Sequence, residues 1–344
     1  MKRRINIVKL AEHLGLAVST VSKALNDRSD VSDATKRRVS EAAQKFGFSP
    51  DPAARRLRSR TSETIGFVLS PPQSHFAHPF FLDLLMGVDE GLETTPFQLV
   101  IVTGRTVEAE LESFRRLVER QRVDAVMFGR TRRDDARIRY LQERNVPFVA
   151  LGRSETGKPF SFVDIDRTVA GRNGTARLVG LGHRRIGLLS TPNYLMMSHH
   201  LQEGYRAALN AAKLPFDADL VVETKFSEEG GLSGARQLLA MKDSPTAFMC
   251  GHDLIASGAM QAIAETAKLP GRDVAIIGCD NHPLGPYLHP PLTTFSAPTL
   301  EAGRRMVEMV LALLDGHKPE ELQEVWSPEL ILRSSHGAPR TTKR

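Results

Sequence analysis

Residues 7–26 read IVKLAEHLGLAVSTVSKALN. Ile7, Leu10, Ala11 and Leu14 recur at i, i+3, i+4 and i+7, the spacing of one apolar helix face. Gly15 ends that helix, because glycine enters the left-handed conformation without a Cβ clash. Leu16 tucks under the turn, and Val21 and Leu25 give a second short helix its inner side. Val18, Ser19, Ser22 and Lys23 make its outer side. A helix faced with small, hydroxylated and cationic residues suits the DNA major groove, where base edges present donors and acceptors. Periodicity alone fits any helical hairpin equally well.

The next segment, VSDATKRRVSEAAQKFGFSP, supplies a third helix capped by Ser32, with Val39, Ala42 or Ala43, and Phe46 turned inward. Three helices around one small core make an independent unit, and the charge distribution marks it out. Residues 1–60 hold 14 Lys and Arg against 6 Asp and Glu; the other residues hold 32 against 34. The positive charge therefore sits on the amino-terminal head, which points to nucleic acid, and the long remainder is near neutral. At 344 residues the chain needs more than one core. Its 41% apolar and 25% charged content is that of a soluble globular protein. No apolar run is long enough to span a bilayer, and MKRRINIVKL lacks the apolar segment of a secretory signal. Cys250 and Cys279 lie far apart in apolar runs and read as buried thiols, which fits a cytoplasmic chain.

EHLGLAVSTVSKALND resembles the start of the LacI/GalR family of bacterial transcription regulators, whose helix-turn-helix reads roughly A-x-x-x-G-V-S-x-x-T-V-S-R-x-L-N. Ala11, Gly15, Thr20, Val21, Ser22, Leu25 and Asn26 match. The resemblance implies a DNA-contacting set of Val18, Ser19, Thr20, Ser22, Lys23 and Asn26. Lys23 stands where the family usually has Arg, giving a point charge in place of a bidentate fork. Ala17 stands where Ser is usual, so operator preference is expected to differ in detail. The stretch DPAARRLRSR, residues 51–60, reads by itself as a charged linker, too short for a stable lone helix. In the family it is the hinge helix. Ala54, Leu57 and Arg58 would then meet the minor groove, with Leu57 wedged between base pairs. Asp51 replaces the family's usual Asn.

From residue 64 the pattern becomes strand–helix alternation. TIGFVLS, QLVIVTG, VDAVMFGR, VPFVALGR, FSFVDID, RRIGLLS, LVVETKF, TAFMCGH and DVAIIGCD are short apolar runs separated by amphipathic segments. Such alternation implies parallel sheets covered on both faces, in two similar α/β subdomains. The expected fold is an all-α helix-turn-helix head plus an α/β two-lobed body with parallel sheets. Resemblance makes that body like the periplasmic binding proteins, with three chain crossings between lobes. PPLTT, at residues 290–294, resembles the family's crossover. The domain expectation is a head at 1–50 and a hinge at 51–63. Lobe 1 takes 64–164 and 295–325, lobe 2 takes 165–294 and 326–338, and 339–344 is a tail.

Ligands of open α/β sheets bind beyond the carboxyl ends of strands. The residues there give the candidate effector site: His78, Phe80, Phe81, Arg105, Arg153, Asp164, His199, Phe226, His252 and Asp280. Polar groups would take sugar hydroxyls, and an aromatic ring would cover an apolar sugar face. Asp253 reads better as the cap of the next helix. The resemblance favours Asp280 as a ligand group, and Phe226 fits either a stacking platform or plain core. Many sugar-responsive members carry Arg three residues before the Gly of the GYRAAL-type motif; here that position is Leu201, preceded by His199 and His200. Adjacent histidines on a helix do not converge on one ion, so no metal and no cofactor are expected.

The resulting expectation is a homodimeric, sequence-specific repressor. It would bind a palindromic double-stranded operator, with affinity set by a small molecule, most simply a sugar. The alternative is an activator or dual regulator responding to a nucleobase or other metabolite. No G-x-G-x-x-G after a strand, P-loop or G-x-S-x-G occurs, so no catalytic residue and no enzyme activity are expected. The tail has no heptads to build a coiled-coil tetramer.

Overall fold

The computed structural model describes residues 5–25, 27–48, 61–70 and 79–340. Asn26, Ala54, Leu57, Arg58 and His78 lie outside the described residues. The chain forms two compact units, one ending at Ser62 and the other running from Glu63.

The first unit contains α1 (Ile7–Leu14), α2 (Val18–Leu25) and α3 (Asp33–Phe46). Asn6 caps α1 by accepting the Lys9 N–H at 3.0 Å. Gly15 closes it in the left-handed conformation at φ +64°, which a side chain would strain. Ser32 caps α3 through the Thr35 N–H. Leu10, Val21 and Val39 are wholly buried, one from each helix. Each contributes about 1.5–3 kcal/mol on burial, which matters in so small a core. Arg38 of α3 donates to the Leu14 carbonyl at 2.6 Å, satisfying a carbonyl freed at the end of α1.

The second unit begins with β1 (Thr64–Leu69), α4 (Pro79–Leu92), β2 (Gln98–Thr103), α5 (Val107–Glu119), β3 (Ala125–Gly129), α6 (Ala136–Glu143), β4 (Phe148–Leu151) and β5 (Ser161–Ile165). It continues with α7 (Arg167–Gly180), β6 (Ile186–Ser190), α8 (Met196–Ala211), β7 (Val221–Glu223), α9 (Glu228–Leu239), β8 (Ala247–Cys250), α10 (Asp253–Glu265) and β9 (Ala275–Ile277). The last elements are β10 (Thr294–Phe295), α11 (Thr299–Leu314), β11 (Gln323–Trp326) and β12 (Leu330–Ile331). One parallel sheet has the order β11-β5-β4-β3-β1-β2, and a second has the order β7-β6-β8-β9. The chain passes between the two layers after β5, before α11 and after β11.

Both sheets carry helices on both faces, as their continuous apolar strands require, while the edge strand β2 leaves Val100 and Ile101 exposed. Ile65, Phe67 and Leu69 of β1 pack with Leu84, Val88, Met306 and Val310 on one side. Val68 packs with Phe114, Ile138 and Leu141 on the other. In the second sheet Phe248 meets α9 and α10, while Met249 meets α7 and α8. Three helix pairs cross so closely that reciprocal glycines are needed. A Cβ on Gly87 would overlap the Leu300 carbonyl, and one on Gly303 the Leu84 carbonyl. Gly171 with Gly204, and Gly231 with Gly258, repeat the arrangement for α7–α8 and α9–α10. β10 and β12 pair antiparallel, an addition to the expected parallel sheets; strands of two residues carry no periodicity to read.

Candidate functional site

In the head, Val18, Ser19 and Lys23 are exposed on α2 and Thr20 is half-buried. Lys23 pairs with Asp30 at 2.5 Å, so its charge is partly spoken for. Ser22 departs from the expectation: it is buried, 9% exposed, because it lies beside Val21 on the turn that faces the core. The remaining outer face is small and polar, the shape that fits a groove.

In the body, a cleft lies at the carboxyl ends of both sheets and holds about 1080 Å³ of empty space, open solvent at its mouth included. The structure brings Phe80, Phe81, Asp164, Phe226, His252 and Asp280 together in its wall. It does not bring three other candidates there. Arg105 is exposed, two residues beyond β2, and is not among the residues that line the cleft. His199 faces Glu203 at 3.5 Å and Glu155 at 3.8 Å; one residue on, the helix turns His200 into the cleft instead. Arg153 stands behind the wall, donating to Asp164 at 2.6 Å and Asp166 at 3.1 Å, so it braces a wall residue.

Asp280 is the best-held group. Arg167 donates to its Oδ1, and His252 Nε2 lies 3.2 Å from its Oδ2. His252 caps α10 by accepting the Leu254 N–H on Nδ1 at 3.1 Å, which leaves the ring hydrogen on Nε2, facing the carboxylate. Burial opposes the Arg167 charge, but the Asp280 carboxylate outweighs it and holds the guanidinium above its usual range. Asp253 is not the cap. It accepts from Thr294 Oγ1 at 2.6 Å and the His282 N–H at 2.7 Å, and burial pushes it up to about 7. The Phe226 ring lies 4.4 Å from the His252 ring and 4.6 Å from the Arg130 guanidinium. Burial pushes Arg130 down to about 10, leaving it charged at neutral pH, and pushes His200 down to about 4, leaving it neutral. Leu201 is packed in the core, 1% exposed, and offers the cleft no polar group.

Arg130, Arg167, Ser70, Thr131 and His200 also line the cleft and were not among the candidates. Arg130 follows β3 directly and Arg167 follows β5 closely, so the rule that found Asp164 reaches both. Behind Arg130 lies a buried charge network. Arg137 is wholly buried and donates to Asp135 at 2.8 and 2.6 Å, to Glu110 at 2.5 Å and to the Arg130 carbonyl at 2.9 Å. Arg132 pairs with the other Glu110 oxygen. The loop held this way reaches the opposite layer, where the Met196 N–H donates to the Thr131 carbonyl at 2.8 Å.

Residues 7–51 match the family described as "Bacterial regulatory proteins, lacI family", and residues 175–336 match a periplasmic binding protein-like domain. The regulator CelR of Thermobifida fusca is 32% identical over 97% of this chain and 99% of its own length. AglR of Rhizobium meliloti (strain 1021) is 35% identical over 97% and 94%. The chain belongs to the LacI family. It is a DNA-binding transcriptional repressor with a helix-turn-helix head and a binding-protein-like body. A solved CelR–cellobiose complex superposes with a TM-score of 0.75 at 30% identity, covering 96% of this chain and 100% of that one. The lac repressor dimer bound to operator shares the fold, with a TM-score of 0.82 at 24% identity, over 98% and 100%. Among the described residues of this LacI-family repressor, no helix is long and apolar enough to cross a membrane.

Proposed function

We propose that this repressor is controlled by a neutral sugar bound in the cleft, and that it acts as a homodimer on a palindromic operator. The observation that carries the effector class is the fixed Asp280 carboxylate in the same cleft wall as the Phe226 ring, with His252 beside both. A carboxylate held by two donors accepts from sugar hydroxyls in fixed directions, and a ring with cationic and imidazole neighbours covers an apolar sugar face. Charges in the wall are balanced, Arg130 and Arg167 against Asp164 and Asp280, which suits an uncharged polyol better than a phosphate ester. The cellobiose complex of the related CelR supports the same class. In the head, the exposure of Val18 and Ser19 supports their meeting base edges, with Thr20 and Lys23 beside them.

The test is a thermal-shift screen of the full chain against mono- and disaccharides, sugar phosphates and nucleobases. A ligand that binds the folded state raises the melting temperature by mass action. A sugar should do so, and Asp280→Asn should abolish the shift. A response to nucleobases or phosphates alone would sink the reading.

A further inference from the structure

A second recess, holding about 700 Å³ of empty space with open solvent included, adjoins the cleft, and Phe80 and Asp280 belong to the walls of both. The boundary is built by two consecutive left-handed residues, Asp280 at φ +94° and Asn281 at φ +48°. Side chains other than glycine rarely adopt such angles, and they persist where the surroundings hold them. The sharp turn separates the two side chains: the Asp280 carboxylate is held by Arg167 and His252, while Asn281 lines the second cavity. Arg333 fixes Asn281 by donating to its Oδ1 at 2.8 Å, which assigns the amide oxygen to the guanidinium and leaves the amide NH2 as the end that can donate elsewhere. Arg333 also donates to the Leu292 carbonyl at 2.7 Å, so its position is set. Asp83 of α4 adds a carboxylate, and Pro283 and Pro286 add flat apolar surface. Donors, acceptors and an apolar wall without excess positive charge form the same chemistry as the first cavity.

We infer that the effector is an oligosaccharide of at least two rings. One ring occupies the cleft near Phe226, and the next passes Asp280 and Phe80 into the second cavity, where Asp83 and Asn281 take its hydroxyls. This inference rests on the sugar reading and narrows it. The second cavity also touches Ala297 and Thr299, in the segment that crosses between the layers, so the second ring contacts the crossing itself.

Isothermal titration of the full-length protein tests it, with glucose and galactose against cellobiose, maltose, melibiose and raffinose. The best oligosaccharide should bind at least about tenfold tighter than its component monosaccharide, the worth of one or two hydrogen bonds. Asp83→Ala and Asn281→Gly should each weaken the oligosaccharide about tenfold and leave the monosaccharide within about twofold. Glycine at 281 keeps the left-handed backbone accessible, and melting temperatures verify that both variants fold. Phe226→Ala should weaken both ligands. A monosaccharide that binds as tightly as every oligosaccharide overturns the two-ring assignment and leaves the sugar reading standing. Equal loss of both ligands in both second-cavity variants overturns it as well. No binding by any sugar overturns both readings together.

Discussion

Replacing Arg137 with methionine should cost the body about 3–5 kcal/mol, the typical loss when one partner of a buried ion pair is removed. The guanidinium is wholly buried and its charge is balanced locally: Glu110 and Asp135 carry two negative charges, Arg132 and Arg137 two positive. Methionine has similar reach but no charge, so the cluster keeps one carboxylate charge too many in a dry site. The Gly129 and Arg130 carbonyls also lose donors that now sit at 3.2 and 2.9 Å. The side chain lies 4.6 Å over the Phe128 ring, a packing contact that methionine partly restores. Electrostatics therefore dominates the loss. Urea unfolding of the full chain, followed by circular dichroism, measures it. The double variant Glu110→Gln with Arg137→Met should recover part of the loss, because the excess charge is gone. The exposed pair Arg236–Glu265 has good geometry, with two contacts of 2.7 Å, yet Arg236→Ala should leave the midpoint unchanged because solvent screens it. A loss below about 1 kcal/mol for Arg137→Met would falsify the claim that this cluster holds the β3–α6 loop by charge.

Gly258→Ala should lower the melting temperature sharply, since the added methyl would overlap the Glu228 carbonyl; overpacking of this kind costs about 1–3 kcal/mol or more, and an unchanged midpoint would contradict the close crossing. His200 takes its proton at the usual 6.5 when unfolded but only at about 4 when folded. The unfolded state thus binds more protons between those values, and stability falls as pH drops through that window. His200→Leu should flatten the dependence of the urea midpoint on pH between 6.5 and 4, and an unaltered slope would remove His200 as its source. Asp30→Ala should release Lys23 for a DNA phosphate and steepen the log–log salt dependence of operator binding by up to about one unit; no change would mean that Lys23 does not reach the backbone.

The head was legible because its signals are local. Gly15 and the spacing of Leu10, Ala11 and Leu14 define a helix end and a face within eight residues, while among the described residues the inward turn of Ser22 was not legible. The alternation of strands and helices was legible for the same reason. Strand order was not, and looking after each strand reached Asp164, Phe226, His252 and Asp280, which line the cleft, together with Arg105, which does not. The candidate His199 lies one residue, a rotation of about 100° on a helix, from His200, which lines the cleft. The charged interior was the least visible part. Arg167 finds Asp280 113 residues away, and Arg137 finds Glu110 27 residues back. Apolar periodicity assigns such residues to the surface. The glycine pairs were hidden similarly, since a glycine at a helix crossing carries no side chain for a pattern to count.

The placement of the two cavities bears on how occupancy becomes a conformational signal. One side of the cleft is made by Arg130 and Thr131, on a loop fixed by the Arg137 network. The other is made by Phe226, His252 and Asp280, fixed by Arg167 and the α10 cap. The backbone bond from Met196 to Thr131 joins the two sides. A ligand shifts an equilibrium between arrangements only by the difference in its affinity for them. Contacts to one side alone survive any change in the angle between layers and contribute no difference. Contacts to both sides are broken when the layers separate, so they favour the closed arrangement by their full strength. Moving a population from 1:99 to 99:1 takes about a 10⁴-fold preference, more than one or two hydrogen bonds supply. A ligand reaching Arg130, Asp280 and the Ala297–Thr299 crossing at once meets that requirement more readily than one ring. An oligosaccharide of the right geometry should therefore move operator affinity further than a monosaccharide that fills the cleft alone, and a fluorescence anisotropy titration of operator DNA with each ligand at saturation measures the difference; equal shifts would refute the argument.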